Sequence, residues 1–394
     1  MRNEKFFFGK FLSFLALAGL VSCTSSKGVK MSSGGHAKGR ILTVDNSGDA
    51  GYHVAMDLDT EDRAHLVYFD KASGVLKYVK QTSAGFSSEV VDGMCKRCLF
   101  ATIRISGNDE PHIAYYSDAN QTLTYVYKHG GIWKKESIEW GRLTGMGVQL
   151  LFDDAGGLHA LYYSGDGFLK HAWRTENKKY RSKKRKSSPK SNSTPADEQP
   201  AGIWGNERLD KANGSEKVQI CFTKQPNGRF AASYFSWSGL SSEVRIALQG
   251  EDGKWKTQVV SSTDNPGKSS ALFFDRNGEM KVVFREARKD RLSLAEKTPS
   301  GWKIIPLVQD AYNMSLDVDG VFNIVLAYEK MDGADARKGH LRMATRTDFA
   351  WYDFGVDEEK GSGSYLAAAL TTLGQPIVAY FSESSRSLKL FVGE

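Results

Sequence analysis

Three histidines lie at equal intervals along the chain: His65, His112 and His159 are separated by 47 residues. Histidine is the commonest metal ligand in proteins, so three repeated copies raise the question of a metal triad. Each one opens an apolar segment, however, and equivalent positions in successive repeats are held apart by the repeat itself. We therefore predict that each histidine makes a structural hydrogen bond to a backbone group of its own repeat, with no metal and no cofactor.

Two acidic stretches, "DLDTED" at 57–62 and "DVDG" at 317–320, carry the carboxylates that calcium prefers. A helix–loop–helix calcium site uses a loop of about twelve residues that ends in a bidentate glutamate, and neither stretch fits it. Aspartate also closes tight turns through its own backbone. We predict turns here, with no calcium.

The four cysteines are Cys23, Cys95, Cys98 and Cys221, and the middle two form Cys-Lys-Arg-Cys. In an exported protein, such a close pair favours a local disulfide between Cys95 and Cys98. Free thiols and a redox or metal role are the alternatives. Zinc needs four ligands, and a thioredoxin-like role needs a strand-to-helix context that this chain lacks.

These residues belong to a repeating unit of four short strands. A unit begins with an apolar strand such as "HVAMDL", turns at Asp, Asn or Gly, and continues with a second strand such as "HLVYF" and a third such as "LKYVK". The fourth strand usually opens with tryptophan, as in "GKWKTQVV" at Trp255. Tyr68, Tyr115 and Tyr162 follow the same period as the histidines. A fixed period of this length indicates an array of identical supersecondary units.

The seventh unit lacks a fourth strand, and residues 39–45, "GRILTVD", match the missing piece. An N-terminal strand that completes the last sheet closes a radial array into a ring. An open solenoid would not need its ends to meet, and a β-sandwich would not explain seven units in register. We predict an all-β fold, a seven-bladed β-propeller of four-stranded blades over residues 39–394, closed by this strand.

The loops from second to third strands and from fourth strands to the next blade converge at one end of the propeller channel. They combine aromatic rings with hydroxyls, carboxylates and arginines, which suits sugar rings or peptide segments. The predicted ligand-binding residues are Tyr116, Tyr163, Trp237, Arg285, Glu286, Arg142 and His53. The alternative is that the aromatic members pack between blades.

The start of the chain has a basic segment, an apolar segment and small residues, which is typical of a secretory signal. Leu20-Val21-Ser22-Cys23 resembles the lipobox of bacterial lipoproteins. The resemblance implies a signal peptide at 1–22, lipid attachment at Cys23 and, because Thr24 is not aspartate, the outer membrane. Residues 23–38 read as a flexible tether. An ordinary cleaved signal with an incidental cysteine is the alternative.

A basic run interrupts the third unit. Residues 178–190 hold eight positive charges within a Ser/Pro/Lys-rich insertion at about 176–201. The formal net charge is +7, so the rest of the chain carries −1. The composition therefore disfavours specific nucleic-acid binding. The insertion suits an anionic surface, such as lipid, or is simply a solubilising loop.

The unit order resembles the sialidase-like repeat propellers of bacterial surface proteins. That family's Asp-box, Ser-x-Asp-x-Gly-x-x-Trp, is absent, and the nearest match at 315–320 is offset by one residue. Its enzymes use three arginines and a Tyr/Glu pair, and no spacing here selects Arg104, Arg142 and Arg285 for that role. We predict a monomeric, non-catalytic envelope lipoprotein that binds a glycan or an envelope protein. A glycan-cleaving hydrolase or lyase and an outer-membrane assembly scaffold that binds by strand addition are the alternatives.

Overall fold

The computed structural model describes residues 31–394 except 177–201, 215–217, 238, 240, 332–338 and 347–349. The expectations for the signal peptide, Cys23 and the basic insertion lie outside the described residues. Within them, no helix is long and apolar enough to cross a membrane.

Seven four-stranded blades form a β-propeller, as predicted; six contain consecutive strands, and the seventh is completed by an N-terminal strand. Blade 1 comprises β3 (Ala50–Leu58), β4 (Ala64–Asp70), β5 (Val75–Thr82) and β6 (Gly85–Asp92). Blade 2 comprises β7 (Cys98–Ile105), β8 (Pro111–Ser117), β9 (Thr122–His129) and β10 (Ile132–Trp140). Blade 3 comprises β11 (Met146–Phe152), β12 (Leu158–Ser164), β13 (Phe168–Glu176) and β14 (Gly202–Lys211).

The remaining blades repeat this order. Blade 4 comprises β15 (Cys221–Lys224), β16 (Phe230–Trp237), β17 (Ser242–Gln249) and β18 (Trp255–Ser261). Blade 5 comprises β19 (Pro266–Phe274), β20 (Met280–Glu286), β21 (Arg291–Thr298) and β22 (Gly301–Gln309). Blade 6 comprises β23 (Ala311–Val318), β24 (Ile324–Met331), β25 (Gly339–Arg346) and β26 (Trp351–Asp357). Blade 7 comprises β27 (Ser362–Leu370), β28 (Pro376–Ser382), β29 (Ser387–Gly393) and β2 (Gly39–Asp45).

The N-terminal strand closes the ring. β2 pairs antiparallel with β29, so that Arg40 faces Val392 and Leu42 faces Leu390. Blade 7 is therefore assembled from both ends of the propeller, which confirms the predicted closure.

The predicted tether is wrong for its last residues, because Met31–His36 forms β1. This strand pairs in parallel with β26 and adds a fifth strand to blade 6. Gly34 lies against the ring of Phe354, where a Cβ atom would be 2.1 Å from Cε1. The Ala37 N–H donates to the Gly355 carbonyl at 2.8 Å. A polar, glycine-rich segment that could not fold alone is thus stabilised on an existing sheet edge.

Neighbouring blades are joined by a repeated polar contact, which we call the tyrosine clasp. A second-strand tyrosine donates its hydroxyl to a carboxylate on the fourth strand of the preceding blade, at 2.5 to 2.6 Å. The five pairs are Tyr68–Asp45, Tyr115–Asp92, Tyr162–Glu139, Tyr234–Asp210 and Tyr380–Asp357. All five tyrosines are fully buried. The tyrosine period in the sequence therefore records a contact between blades.

The repeated histidines are structural, but the predicted backbone partner is wrong. Nδ1 of His65 meets the Tyr78 hydroxyl at 2.6 Å, and Nδ1 of His112 meets the Tyr125 hydroxyl at 2.5 Å. The third strand supplies these partners, so the bond runs between side chains of adjacent strands. No group of three or more His, Cys, Asp or Glu side chains could hold a metal ion in the part of the chain that the structure describes.

The two acidic stretches form turns, as predicted. Asp59 accepts the backbone N–H groups of Glu61 and Arg63 at 3.0 and 2.9 Å. Asp319 accepts those of Val321 and Asn323 at 3.0 and 2.8 Å. Each carboxylate is thus occupied in closing the turn between the first and second strands of its blade.

Candidate functional site

A central channel of about 590 Å³ runs between the first strands of the blades. Its walls carry small and polar side chains in several blades, among them Thr102, Gln149, Ser270 and Ser315. One end opens among the loops from second to third strands and from fourth strands to the next blade. We call this end the loop face.

Three aromatic side chains lie together where the channel opens on the loop face: His53, Phe100 and Tyr365. The ring centroids of His53 and Tyr365 are 4.9 Å apart, and those of His53 and Phe100 are 5.7 Å apart. They come from the first strands of blades 1, 2 and 7, which are neighbours because the ring is closed. We call these residues the mouth cluster.

A bulge in each first strand turns these side chains toward the opening. The pairing register shifts between Tyr52 and Ala55, between Leu99 and Thr102, and between Ser364 and Ala367. Within these bulges His53, Phe100 and Tyr365 have φ values of 54°, 57° and 47°. An aromatic residue in this left-handed region costs of order 1 kcal/mol, and such strain concentrates at ligand sites.

Blade 3 shows that the bulge itself does not require an aromatic residue. Gly147 occupies the position 47 residues after Phe100, also at a register shift, with a φ of 65°. Glycine adopts this conformation without steric cost. The backbone bulge therefore does not account for the aromatic rings in blades 1, 2 and 7, which converge at one opening.

A charged rim borders the mouth cluster. Arg97 is exposed on the connection between blades 1 and 2, and its Nε lies 3.7 Å from a carboxylate oxygen of Asp118. A disulfide between Cys95 and Cys98, with Cα atoms 5.5 Å apart, encloses this arginine in a short loop. On the blade 7 side, Glu383 accepts a hydrogen bond from the Ser364 hydroxyl at 3.1 Å.

The mouth cluster is uncharged at neutral pH. Burial, followed by the nearby Arg97 charge, lowers the pKa of His53 to about 4, so the imidazole is neutral. Burial, with smaller effects from Tyr52 and Glu383, raises the pKa of Tyr365, so the phenol keeps its proton. The site thus combines the partly exposed rings of His53 and Tyr365, which have hydrogen-bonding edges, with the buried ring of Phe100, inside a rim of one arginine and one glutamate.

Three predicted ligand residues prove to be structural. Tyr163 is fully buried, donates to the Phe235 carbonyl at 2.5 Å and accepts the Phe235 N–H at 3.0 Å. Tyr116 is buried and accepts the Leu143 N–H at 3.1 Å. Glu286 is buried and accepts from Arg291 Nε at 2.6 Å and from the Ser293 hydroxyl. Their packing between strands and blades corrects the prediction that they face a ligand.

The other four predicted residues lie on the loop face but are not brought together. His53 belongs to the mouth cluster. Arg285 packs over the Tyr312 ring at 4.2 Å and bonds Asp290 at 2.7 Å. Arg142 and Trp237 are exposed, the latter to 50%, on the connection after blade 2 and at the end of β16. They can extend a binding surface beyond the mouth without lining it.

Sequence reasoning missed Phe100, Tyr365 and Arg97 as site residues. The available signal was the period: Phe100 lies 47 residues after His53, at the equivalent position of the next blade. Arg97 was visible only as part of the Cys-Lys-Arg-Cys loop.

The three arginines that the enzyme alternative needs are not grouped among the described residues that line the channel, although Tyr365 and Glu383 both lie at its mouth. Asp317 and Glu383 are the carboxylates among its described lining residues. Asp317 accepts the Leu370 N–H at 2.8 Å near the far end of β23, whereas Glu383 lies on the loop face. Arg104 donates to the Leu150 carbonyl at 3.1 Å, also toward the far end. Arg104, Arg142 and Arg285 therefore form no common clamp.

No protein-family model matches this chain, and no curated protein sequence matches it either. Solved structures share its architecture. YCF48 bound to D1 peptide is 11% identical with a TM-score of 0.54, over 93% of this chain and 98% of that one. A family 25 polysaccharide lyase, an ulvan lyase bound to a GlcA-Rha3S chain, is 10% identical with a TM-score of 0.51, over 93% and 96%. The likeness at these identities is one of fold.

Proposed function

We propose that this protein is a non-catalytic binding protein that holds a glycan chain at the mouth cluster. The observation that carries the proposal is the convergence of His53, Phe100 and Tyr365, in a strained backbone conformation, on one channel opening. Aromatic faces pack against the apolar faces of sugar rings, and a few fixed polar groups at the edges give orientation. Arg97 and Glu383 supply such groups.

The neighbouring folds support a ligand on this architecture without selecting one. The ulvan lyase structure holds a polysaccharide, and the YCF48 structure holds a peptide. We favour the glycan because the mouth cluster offers ring faces rather than an open strand edge. A protein segment is the second candidate ligand, and an assembly scaffold would bind it.

A glycan-cleaving enzyme is the alternative function at the same place. One observation favours it: His53 is neutral at physiological pH and lies beside Tyr365 and near Arg97, as a general base would. Its pKa of about 4 makes it a weak base, and the raised pKa of Tyr365 makes the phenol a poor nucleophile. Binding without turnover is therefore the better proposal.

The test is binding of residues 31–394 to an array of bacterial and host glycans. We expect His53→Ala and Tyr365→Ala each to raise the dissociation constant for the glycan by about tenfold or more. Each removes an aromatic stacking face worth about 1.4 kcal/mol. Leu373→Ala is the matched control, because Leu373 is exposed on the turn between β27 and β28, away from the loop face. Trp237→Ala and Arg142→Ala map how far the ligand extends.

Each outcome separates the candidates. Glycan binding that survives both mouth variants would place the site elsewhere. Release of shortened or unsaturated products from a bound glycan, abolished by His53→Ala, would establish the enzyme. If the folded protein binds none of the glycans, the ligand would instead be a protein. Cross-linking in intact envelopes would then identify it.

We further propose that a lipid on Cys23 anchors the mature protein to the bacterial outer membrane as a monomer. The support is the Leu20-Val21-Ser22-Cys23 sequence. The basic residues of 178–190 add affinity for an anionic surface, at about 1 kcal/mol per charge near the lipid. Labelled palmitate should enter the intact chain and not Cys23→Ser, and membrane fractionation should follow the label.

A further inference from the structure

Blade 3 departs from blades 1 and 2 at one contact that those two blades share. In blades 1 and 2 the second-strand histidine meets a tyrosine hydroxyl of the third strand, from Tyr78 or Tyr125. In blade 3 the equivalent third-strand residue is His171. Nδ1 of His159 lies 2.9 Å from Nε2 of His171.

The outer nitrogens of this pair both face carboxylates. Nε2 of His159 lies 3.2 Å from an Asp153 oxygen, and Nδ1 of His171 lies 3.0 Å from a Glu207 oxygen. Four side chains thus form a line with three hydrogen-bond contacts: Asp153 to His159, His159 to His171, and His171 to Glu207.

A count of protons shows what the line requires. Ionised carboxylates only accept, so each outer contact needs an N–H from its imidazole. A neutral imidazole has one N–H. If both rings are neutral, each must donate its N–H to its carboxylate, Asp153 or Glu207. The two inner nitrogens would then be lone pairs facing each other at 2.9 Å. The tyrosine of blades 1 and 2 avoids this, because its hydroxyl brings its own proton.

The ring geometry shows that the inner contact is aligned for a proton. The two imidazole planes differ by 1°, and their centroids are 5.1 Å apart. The centroid separation is longer than the N···N distance by about two ring radii. The rings therefore meet nearly edge to edge, and each inner nitrogen points at the other. The 2.9 Å distance is that of a hydrogen bond. A metal ion on the same line would need about 4 Å, twice the Zn–N length of about 2.0 Å.

We propose that His159 and His171 bind one proton between them, as an imidazole–imidazolium pair held by Asp153 and Glu207 at the contact of blades 3 and 4. The protein thereby has an internal proton-binding site, separate from the ligand site on the loop face.

A second positive charge on the pair is opposed by the first. Burial lowers the pKa of both imidazoles, against the opposing effects of Asp153 on His159 and Glu207 on His171, and a charge on His159 lowers the pKa of His171 further. Blade 4 covers the pair with the uncharged rings of Phe222, Phe230 and Trp255. Beside the turn that carries Asp153, the Lys224 ammonium donates to the Asp154 carboxylate at 2.5 Å, so these two charges pair with each other.

The shared proton is tied to the contact between blades. Glu207 accepts from His171 and also from Nε1 of Trp255, which opens the fourth strand of blade 4, at 3.1 Å. The side chains of His171 and His159 are 4% and 16% exposed, so opening of this contact should speed exchange of the shared proton with solvent.

The test is nitrogen and proton NMR of the mature chain labelled with ¹⁵N-histidine. We expect one far-downfield, exchange-protected N–H resonance from the bridge, and a pH titration in which both rings lose their shared proton at one midpoint. His171→Tyr is the matched variant, because it gives blade 3 the histidine–tyrosine contact of blades 1 and 2. It should stay folded, lose the resonance and hold His159 as one neutral tautomer.

Two outcomes would overturn the proposal. Wild-type His159 and His171 that remain separate neutral tautomers from pH 5 to 8, as expected for His112 with its pKa of about 4, would mean that no proton is shared. Signals of both rings that shift on treatment with EDTA and return with added zinc would assign the site to a metal ion.

Discussion

At the scale of single residues, the tyrosine clasp is the contact that joins one blade to the next. The phenol hydroxyl of Tyr115 donates to Asp92 at 2.5 Å, and Lys135 adds a second donor at 2.9 Å. Burial, with smaller contributions from Asp92, raises the pKa of Tyr115, so its proton stays in this bond. A buried carboxylate is stable only while its donors are present.

Tyr115→Phe should therefore destabilise the protein, because it removes a donor from Asp92 and leaves the ring packing intact. We expect a loss of about 1–3 kcal/mol in the free energy of unfolding. Chemical denaturation measures it as a lower midpoint at unchanged slope. Tyr352→Phe is the control, since Tyr352 is 37% exposed on β26, and should change stability little. Equal midpoints for the two variants would show that the clasp contributes nothing.

The Tyr68–Asp45 clasp, which closes the ring, should also make the free energy of unfolding depend on pH in the acidic range. Burial raises the pKa of Asp45, but hydrogen bonds from Tyr68, Ser47 and Lys77 outweigh it and lower the value from 3.8 to about 2. A depressed carboxyl pKa gives stabilisation that is present above the unfolded pKa and lost as pH falls through the folded one. The side chain is only 13% exposed, so the shift corresponds to about 2 kcal/mol.

We expect stability to fall between about pH 4 and pH 2 in the wild type, and by about 2 kcal/mol less over that range in Asp45→Asn. Denaturation at a series of pH values measures the difference. Parallel curves for wild type and Asp45→Asn would contradict the assigned cause.

At the scale of elements, strands in which apolar and polar residues alternate were predictable from the sequence. Segments that depart from this alternation were not. The aromatic residues that open most fourth strands mark β10, β14, β18, β22 and β26 in the sequence. Met31–His36 has no alternation, so nothing in it identified β26 as a partner. The bulges likewise have no local signature: His53 and Phe100 differ in type, and only their period relates them.

The docking of β1 on β26 can be tested at Gly34, which has no room for a side chain above Phe354. We expect Gly34→Ala to detach β1 and to increase amide hydrogen exchange along β26, with little loss in global stability because β1 is mostly exposed. Ser33→Ala, at an exposed neighbouring position, should leave exchange unchanged. If the amides of β26 are equally protected from hydrogen exchange in Gly34→Ala and Ser33→Ala, β1 stays docked despite the substitution.

At the scale of the whole molecule, the ring explains which site residues were predictable. The loop face followed from strand order alone, and His53, Trp237, Arg142 and Arg285 lie at strand ends or connections on that side. Whether a residue points into the channel or between blades depends on the neighbouring blade, which the sequence of one blade does not specify. Tyr116 and Tyr163 were misassigned for this reason: both lie one residue after a clasp position.

Ring closure gives the sharpest test of the architecture. β2 supplies the outer strand of blade 7, places Leu42 and Val44 against the core shared by blades 7 and 1, and carries Asp45 of the clasp with Tyr68. Other contacts between these blades include the packing of Tyr52 and His53 against Tyr365, the hydrogen bond of Asp62 with Thr372 at 2.6 Å, and the exposed pair Arg386 with Asp49. Exposed pairs of this kind contribute little to stability because solvent screens them.

A chain that starts at residue 46 should therefore lose several kcal/mol of stability, whereas a chain that starts at residue 39 keeps β2 and loses only β1. Burial of two aliphatic side chains alone is worth about 3 kcal/mol. Thermal and chemical unfolding of both truncations measure the difference. A synthetic peptide of residues 39–45 added to the shorter chain should restore stability in proportion to its concentration, because it binds only the folded ring. If the shorter chain were as stable as the longer one and ignored the peptide, the ring would be held by its blade contacts without the closing strand.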